Sequence, residues 1–557
     1  MIRVVFLVIL IVGTAALGQE RETQSGGKRQ PSSRPVEVQT PQGQTPLPKI
    51  NLPEFVITGK ASLDPPAVDK EPVDESGLYN RHPLENMPGA RDRGTIDLGM
   101  RFKQSLFATE EVRSGMILGS LGTFFTPLVM ASYGVSSTQH GILGKASYRR
   151  TKGFAQFTDA SAAALAADGN MVLRSSNEYF DETRLSGGAR YDIRKYKFYG
   201  SQTPSVQRDW SVVGLNVGAS SGIASPLSFH AGLEYRGHTL QDSSATVTEN
   251  HVTIAAGSEL PVFDVPLDVR FVADLATIAR ATANPLSLFR LTVASPRWVW
   301  GDFSMRVAVN GYALEGMNGQ KGTYFYPDIR VQHPLSHTHK AFLGFHPSVI
   351  FATLREGTSR FPYLSSLAAI RHTVNRLAFS SGIESEWSDR IRTRVSFEFR
   401  RSTDEPLYDD SSDSGIGLLA YGGTTTVAGV RVDAVANITP IDYFGIAITA
   451  RSVRNDLIGA QVPYLPGVEF SASYRHRFPF NVTLTGEIGA YSDRRAAASV
   501  ARTVPGGFWT GLKAEYDGVE RMTLFMNFEN VLNRKDQVWR GYRIEPLRAD
   551  VGISYRW

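Results

Sequence analysis

The sequence predicts an all-β protein: a closed transmembrane antiparallel β-barrel of about 18 to 22 strands, preceded by a disordered tether. Three observations predict it: segments in which apolar and polar residues alternate strictly, connections that alternate between short and long, and an export segment at the start. The chain has 557 residues, 42% of them hydrophobic, which is enough for one large closed sheet. It contains no cysteine, so disulfides, thiolate metal sites and cysteine nucleophiles are excluded.

Residues 1–18 have the pattern of a cleavable signal peptide. Arg3 gives a positive start, residues 4–12 are an unbroken apolar run, and Ala16-Leu17-Gly18 places small residues before Gln19. The run is too short to span a bilayer of about 30 Å as a permanent helix. We therefore expect export and a mature chain that begins near Gln19; a buried N-terminal strand or helix is the alternative.

Residues 19–93 are predicted to be a flexible Pro-rich periplasmic tether, because they contain too few apolar residues to offset the entropy of ordering. One segment, 52–60, is an exception and favours β-structure. Its residues Glu54, Phe55, Val56, Ile57, Thr58 and Gly59 are suited to strand addition at the sheet edge of a partner. A chance apolar cluster, or a strand packed on this protein's own body, is an equal alternative.

Residues 94–557 are assigned to the barrel. In 391–400, Val395, Phe397 and Phe399 alternate with arginine and glutamate, and 550–557 shows the same period of two. Such segments run about ten to twelve residues, the length of a tilted membrane crossing. The alternation is clear over 96–102 but is lost across the Ala-rich stretch 160–167.

The connections between these segments also alternate in length. Short turns are predicted at Arg194-Lys195, 222–226, 262–266, 295–297, 334–340, 387–390, 439–440, 477–479 and 517–518. Longer links are predicted at 239–250, 315–322, 355–366, 402–423, 452–467, 492–507 and 533–546. Short turns on one side and long loops on the other are typical of outer-membrane barrels.

The C-terminus resembles the last two strands of TonB-dependent receptors. The resemblance rests on Leu524-Phe525-Met526-Asn527-Phe528-Glu529-Asn530-Val531-Leu532-Asn533-Arg534-Lys535, then Gly541-Tyr542, Pro546-Leu547-Arg548 and Gly552-Ile553-Ser554-Tyr555-Arg556-Trp557. It implies that Tyr555 and Trp557 form the terminal signal read by the barrel-assembly machinery. The run 54–60 is similar to the sequence near the energy-coupling box of those receptors, which implies a TonB-like or other periplasmic partner.

One departure from that family concerns the plug that fills its barrels. Only about thirty residues separate Lys60 from the first alternating segment, which is too few for a plug, although 119–134 is a conceivable remnant. A barrel of about 20 strands left empty would be a wide aqueous hole. We therefore expect infolded loops such as 402–423, the segment before Glu178, the tether or a partner protein to occlude it.

The sequence predicts no enzyme, no metal site and no cofactor. His333, His337, His339 and His346 surround a predicted turn without a carboxylate at ligand spacing, and Asp409, Asp410 and Asp413 lack the pattern of a calcium loop. The net charge of +5 comes from scattered arginines, so no nucleic-acid partner is predicted. Arg392, Arg394, Glu398 and Arg400 are lumen candidates that either bias a pore or pair with neighbouring strands.

These sequence features favour two functions. The first is transport of a solute or polymer across the outer membrane of a Gram-negative envelope, in contact with outer-membrane lipid. The alternative is a non-transport barrel, a membrane-anchored scaffold for periplasmic or surface partners. The substrate is set by loop and lumen geometry, which the sequence does not give.

Overall fold

A computed structural model describes residues 112–557 apart from 223–224, 243–244, 263–264, 281–282, 412–413 and 440. The predicted signal peptide, the tether with its 52–60 segment, and the alternating stretch 96–102 lie outside the described residues. The described chain is almost entirely antiparallel β-sheet, with one short α-helix and one 3₁₀ turn at Met317–Gly319 among the described residues. The predicted fold class is confirmed.

The described residues form 31 strands. They are β1 Val112–Gly122, β2 Thr126–Ser136, β3 His140–Thr151, β4 Ala160–Leu173, β5 Thr183–Lys197, β6 Gln207–Ser220, β7 Phe229–Gln241, β8 Thr246–Val262, β9 Val265–Ala279, β10 Ala283–Ala294, β11 Trp298–Trp300, β12 Phe303–Glu315, β13 Lys321–Pro334, β14 His339–Phe345, β15 Ser348–Ile350 and β16 Thr373–Ser388. They continue as β17 Ile391–Thr403, β18 Leu407–Asp409, β19 Leu418–Ala420, β20 Thr424–Thr439, β21 Asp442–Asn455, β22 Ala460–Gln461, β23 Val468–Arg477, β24 Val482–Tyr491, β25 Arg494–Arg495, β26 Thr503–Val504, β27 Gly507–Val519, β28 Met522–Glu529, β29 Gln537–Trp539, β30 Tyr542–Arg543 and β31 Arg548–Arg556. The helix is α1, Leu354–Arg360.

The main sheet closes on itself. Within the described residues it contains 25 strands, each antiparallel to its neighbours, and β1 pairs with β31 from Met116 opposite Arg556 to Gly122 opposite Asp550. Each of the short strands β11, β15 and β22 pairs with a long strand that already has a longer neighbour on the same side. These three strands therefore add no position to the ring, which contains 22 strands. This number lies at the upper end of the predicted range. The short strands β18, β19, β25, β26, β29 and β30 lie outside the ring in three separate hairpins.

The two faces of the wall are the reverse of those in a soluble protein. On β17, Val395 and Phe397 are 46% and 43% exposed, whereas Ser396 and Glu398, which alternate with them, are buried. On β31, Val551 and Ile553 are likewise exposed, while Asp550 and Ser554 are buried. An outward apolar face and an inward polar face are what a barrel surrounded by hydrocarbon requires.

The connections divide into a turn end and a loop end. The turn end holds 137–139, 174–182, 221–228, 263–264, 295–302, 335–338, 389–390, 440–441, 478–481 and 520–521, together with the end of β31. The loop end holds 123–125, 152–159, 198–206, 242–245, 280–282, 316–320, 346–372, 404–423, 456–467, 492–506 and 530–547. The predicted length asymmetry holds from 346 onward but not before, since 123–125 and 242–245 are short whereas 174–182 and 221–228 are longer.

Three sequence expectations are wrong. Arg194-Lys195 is no turn but part of β5, where Arg194 pairs with Trp210; the dipeptide has no turn chemistry, and the real connection, 198–206, contains Gly200 and Pro204. Residues 239–250 are no long link, because β7 continues to Gln241 and β8 starts at Thr246, which leaves 242–245 as the connection. The Ala-rich stretch 160–167, assigned to the barrel without a clear period, is part of β4. Residues 119–134 are no plug remnant; they form the β1–β2 hairpin of the wall.

Candidate functional site

Six connections at the loop end pack together into one structure, which we call the loop cap: 198–206, 346–372, 404–423, 456–467, 492–506 and 530–547. Its core includes Phe198, Phe361, Tyr363, Leu364, Tyr408, Tyr464, Val504, Val538, Trp539 and Tyr542, all of them buried. The rings of Phe361 and Trp539 have centroids 4.0 Å apart, and those of Tyr363 and Tyr542 are stacked at 3.4 Å. The cap is therefore a packed core. Five of its six connections follow one another around the loop end, and 198–206 joins them from a different sector of the ring.

The connection 346–372 is fixed through α1 to β8, a wall strand several positions away in the ring. Thr353 caps the helix, its Oγ1 accepting from Glu356 N at 3.1 Å. Glu249, a buried residue of β8, accepts from the backbone N–H groups of Leu354 at 2.5 Å and Arg355 at 3.4 Å. These are unpaired donors of the first helical turn, where a carboxylate is favourable.

A buried arginine makes the second anchor. Arg208, at the start of β6, is fully buried, and its Nη1 donates to the carbonyl oxygens of Pro362 at 2.9 Å and Leu364 at 2.6 Å. Its Nη2 pairs with Asp242 at 2.8 Å. A single guanidinium thus joins the wall, a neighbouring loop and the segment that follows α1.

Polar side chains also join the loops to one another. Tyr542 donates to Gly415 O at 2.7 Å, and Asp410 accepts from Tyr464 at 3.2 Å and pairs with Arg540 at 3.4 Å. Burial raises the pKa of both Tyr464 and Tyr542, so both hydroxyls stay protonated and act as donors. The hydrogen bonds that these two hydroxyls donate are therefore kept across the neutral pH range.

His372 is a buried histidine of the cap whose pKa is strongly lowered. It is fully buried, its Nδ1 accepts from Ala352 N at 3.2 Å, and its Nε2 lies 3.1 Å from Glu315 O. Burial lowers the pKa of His372 to about 4. The imidazole is therefore neutral in the packed cap, with the proton on Nε2.

Below the connection 530–547 lies a cavity of about 340 Å³, which we call the wall cavity. Strands β3, β4, β24, β27, β28 and β31 line it, with 544–546 on the loop side. Among its lining residues are Arg149, Glu487, Trp509, Glu529 and Arg548. It is thus a compartment beneath the cap that is lined by both charged and apolar residues.

The four lumen charge candidates all contact carboxylates or arginines in the described chain. Arg392 pairs with Glu386 and Arg394 with Glu384, each at 3.3 Å, on the adjacent strand β16. Arg400 pairs with Glu405 at 2.9 Å and lies 4.0 Å from Glu398. These contacts are those expected if the charges stabilise the wall; an effect on ion preference stays a prediction.

The other residues that the sequence singled out lie apart from the cap core or are paired within it. His339 bonds Ser385 at 2.8 Å and His333 stacks on Phe303, while β14 separates both from His346. Asp409 accepts from Ala498 N at 3.0 Å. In the described part of the chain, no group of three or more His, Asp or Glu is arranged to hold a metal ion. No described helix is long and apolar enough to cross a membrane.

Tyr555 and Trp557 lie on and just after β31, with Tyr555 exposed on the outward face. Residues 54–59, the proposed partner-binding run, are outside the described residues. The roles assigned to both sets stay predictions.

The sequence predictions do not include the aromatic residues of the cap. Strand alternation gives no information about long loops. These loops nevertheless contain large apolar residues in segments without alternation: Phe361-Pro362-Tyr363, Val538-Trp539 and Tyr542. Such residues in a long loop have no wall face on which to lie, so they indicate a loop with a core of its own. That signal was available in the sequence.

No family model and no curated protein matches the chain. Solved structures do match its fold. The copper transporter OprC is 8% identical with a TM-score of 0.63, covering 82% of this chain and 81% of its own. The ferric-catecholate import receptor Fiu of E. coli K12 is 10% identical, with a TM-score of 0.60 and coverages of 81% and 82%. The FrpB iron transporter of Neisseria meningitidis is 9% identical, with a TM-score of 0.63 and the same coverages. At such identities the similarity concerns the fold.

Proposed function

We propose that the chain is an outer-membrane β-barrel of transport type, resembling TonB-dependent receptors, which moves a solute or polymer across the outer membrane. One observation carries the proposal: a 22-strand ring, apolar outside and polar inside, whose loop end is covered by the chain's own packed loops. A ring of this size encloses a wide lumen, and a removable cover turns such a lumen into a gated passage.

Two further observations support it. The solved structures with a similar fold are a copper transporter, a ferric-catecholate import receptor and an iron transporter. The C-terminal segment 524–557 resembles the last strands of TonB-dependent receptors. In this proposal the chain is exported by residues 1–18, and 19–93 extends into the periplasm, where 54–59 meets an energy-coupling or other partner. The barrel-assembly machinery reads Tyr555 and Trp557.

The scaffold alternative is favoured by the extent of the cap packing. A cap with a buried aromatic core and several buried polar anchors is costly to open, as a permanent cover would be. In that case the cap is a rigid surface for partners and the barrel is its membrane anchor.

Planar-bilayer conductance of the refolded full-length protein separates the two. The variants are a chain in which 406–421 is replaced by a short Gly-Ser linker, a chain without 19–93, and a chain with both changes. Transport predicts conductance steps that grow when the cap, the tether or both are removed. If all four proteins stay closed while running as folded barrels in unheated gels, transport is excluded and the scaffold remains.

A further inference from the structure

The wall cavity is bounded on one side by the cap residues Ile544, Glu545 and Pro546. Its volume, about 340 Å³, is at the small end of the range for small-molecule sites, about 300–1,000 Å³. It therefore suits a molecule of one or two rings and excludes a large chelate.

The charges that line the cavity balance. They are Arg149, Lys513 and Arg548 against Glu487, Glu529 and Glu545. A ligand with a net charge would meet as many like charges as opposite ones, so neither an anion nor a cation gains from the site as a whole.

Two of the cationic groups, Arg548 and Lys513, are already paired. Arg548 lies 3.5 Å from Glu529, 3.7 Å from Glu545 and 2.6 Å from Asp550, and Lys513 lies 2.8 Å from Glu515. A zwitterion would have to separate such pairs. A hydroxyl group can instead bridge a pair, donating to the carboxylate while accepting from the guanidinium.

Uncharged polar side chains also line the cavity beside the charged ones. Thr151, Thr485 and Asn527 add uncharged donors and acceptors around the same space.

An indole ring forms the apolar part of the wall. Trp509 on β27 lies opposite Gly489 on β24, and its ring occupies the space that a Cβ on Gly489 would need. The glycine thus permits the position of the ring at the edge of the cavity. A flat ring with polar groups around it binds molecules that are apolar on one face and polar at their rim, as sugar rings are.

The geometry points to the wall cavity as a binding site for a neutral polyhydroxylated solute, a mono- or disaccharide, held between Trp509 and the bridged pairs around Arg548. This inference rests on the proposed transport function and names its substrate class.

Saturation-transfer NMR on the full-length protein in detergent tests the site, with maltose, sucrose and lactose as probes and trialanine and malate as comparison ligands. We expect saturation of the ring protons of at least one disaccharide and little transfer to trialanine or malate. Trp509→Ala should weaken that binding at least tenfold, while the outward-facing Trp387→Ala should leave it unchanged. Transfer to trialanine or malate alone, or sugar binding that Trp509→Ala does not affect, overturns the inference.

A matched glycine pair provides a second test without changing any polar group. Gly489→Ala should displace the indole and weaken sugar binding, whereas Gly486→Ala on the same strand, where a Cβ meets nothing within 4 Å, should not. Equal effects of the two variants contradict the role of Trp509. Because conductance is measured separately, a conducting barrel that binds no sugar refutes the site alone, and a sugar-binding barrel that never conducts refutes transport alone.

Discussion

Trp557 and Gly115 exchange two backbone hydrogen bonds, each 3.1 Å long, at the seam where the barrel closes. The indole of Trp557 also fills the space that a Cβ on Gly115 would take. The last residue of the chain is therefore fitted to a glycine on the first strand. Closure of the ring depends on this glycine as well as on the strand register.

We expect Gly115→Val to destabilise the seam, because the added side chain and the indole cannot share the space. Overpacking of this kind costs about 1–3 kcal/mol. The matched control is Gly119→Val on the same strand, where a Cβ meets nothing within 4 Å. The measurement is the temperature at which the folded band is lost in gel electrophoresis. Equal midpoints for the two variants would show that the fit of Trp557 to Gly115 is unimportant.

Acid should loosen the loop cap through His372. Its pKa is about 4 in the packed cap and 6.5 in an open one, so between pH 6.5 and 4 the open form takes up a proton that the closed form does not. The stabilisation of the closed cap by the neutral His372 is complete above pH 6.5. It falls as the pH drops towards 4, by at most about 3 kcal/mol. The charge of the nearby Asp274 favours the protonated imidazole, so Asp274 reduces this acid effect on the cap.

The chain has no cysteine, so a single spin label at the exposed loop residue Leu367 can report cap mobility. Mobility should rise between pH 6.5 and 4 in the otherwise unchanged protein, and the rise should be smaller in His372→Gln. A profile that His372→Gln leaves unchanged would assign the acid response to other groups.

Arg208 should be essential for keeping 346–372 against the wall. Arg208→Met removes the donors to Pro362 and Leu364 and leaves Asp242 without its cation. Breaking a buried pair of this kind costs about 3–5 kcal/mol. The label at Leu367 should become mobile in this variant but not in Arg190→Met, which removes a half-exposed arginine paired with Asp192. An immobile label in Arg208→Met would mean that the aromatic core alone fixes the cap.

Most of the wall could be predicted from the sequence, and the reason is physical. Lipid on one side and water on the other impose a period of two, which Val395, Phe397 and Phe399 display directly. The period is less clear elsewhere in the wall. The alanines of β4 hide it, and the turn predicted at Arg194-Lys195 is wrong because β5 continues through both residues.

The cap could not be predicted in the same way. Its contacts join residues far apart in sequence, such as Tyr542 and Gly415 or Arg208 and Leu364, and no local period encodes such pairs. The size of the barrel alone indicates that something must cover the lumen. Which loops do so, and through which side chains, depends on tertiary packing.

The two arginines Arg400 and Arg392 should differ in their effect on stability. Arg400 is largely buried between Glu405, Glu398 and Asn375, so Arg400→Met leaves carboxylates without their cation and should cost about 3–5 kcal/mol. Arg392 pairs with Glu386 where both side chains are mostly exposed, so Arg392→Met should cost less than about 1 kcal/mol. Urea titration of the two refolded variants measures the difference. Similar midpoints would show that Arg400 does not stabilise the wall.

The run 54–59 is predicted to add a strand to a periplasmic partner through its backbone. Val56→Pro in the full-length protein removes one N–H group and fixes φ, which a β-ladder does not tolerate inside a strand. Recovery of periplasmic partners from an envelope extract should fall at least tenfold. Val38→Pro places the same change in the same tether outside the run and should leave recovery unchanged. If both variants recover the partners equally well, the tether binds by another segment or does not bind. The energy-coupling part of the proposed function is then withdrawn. The transport role of the barrel is tested separately by conductance.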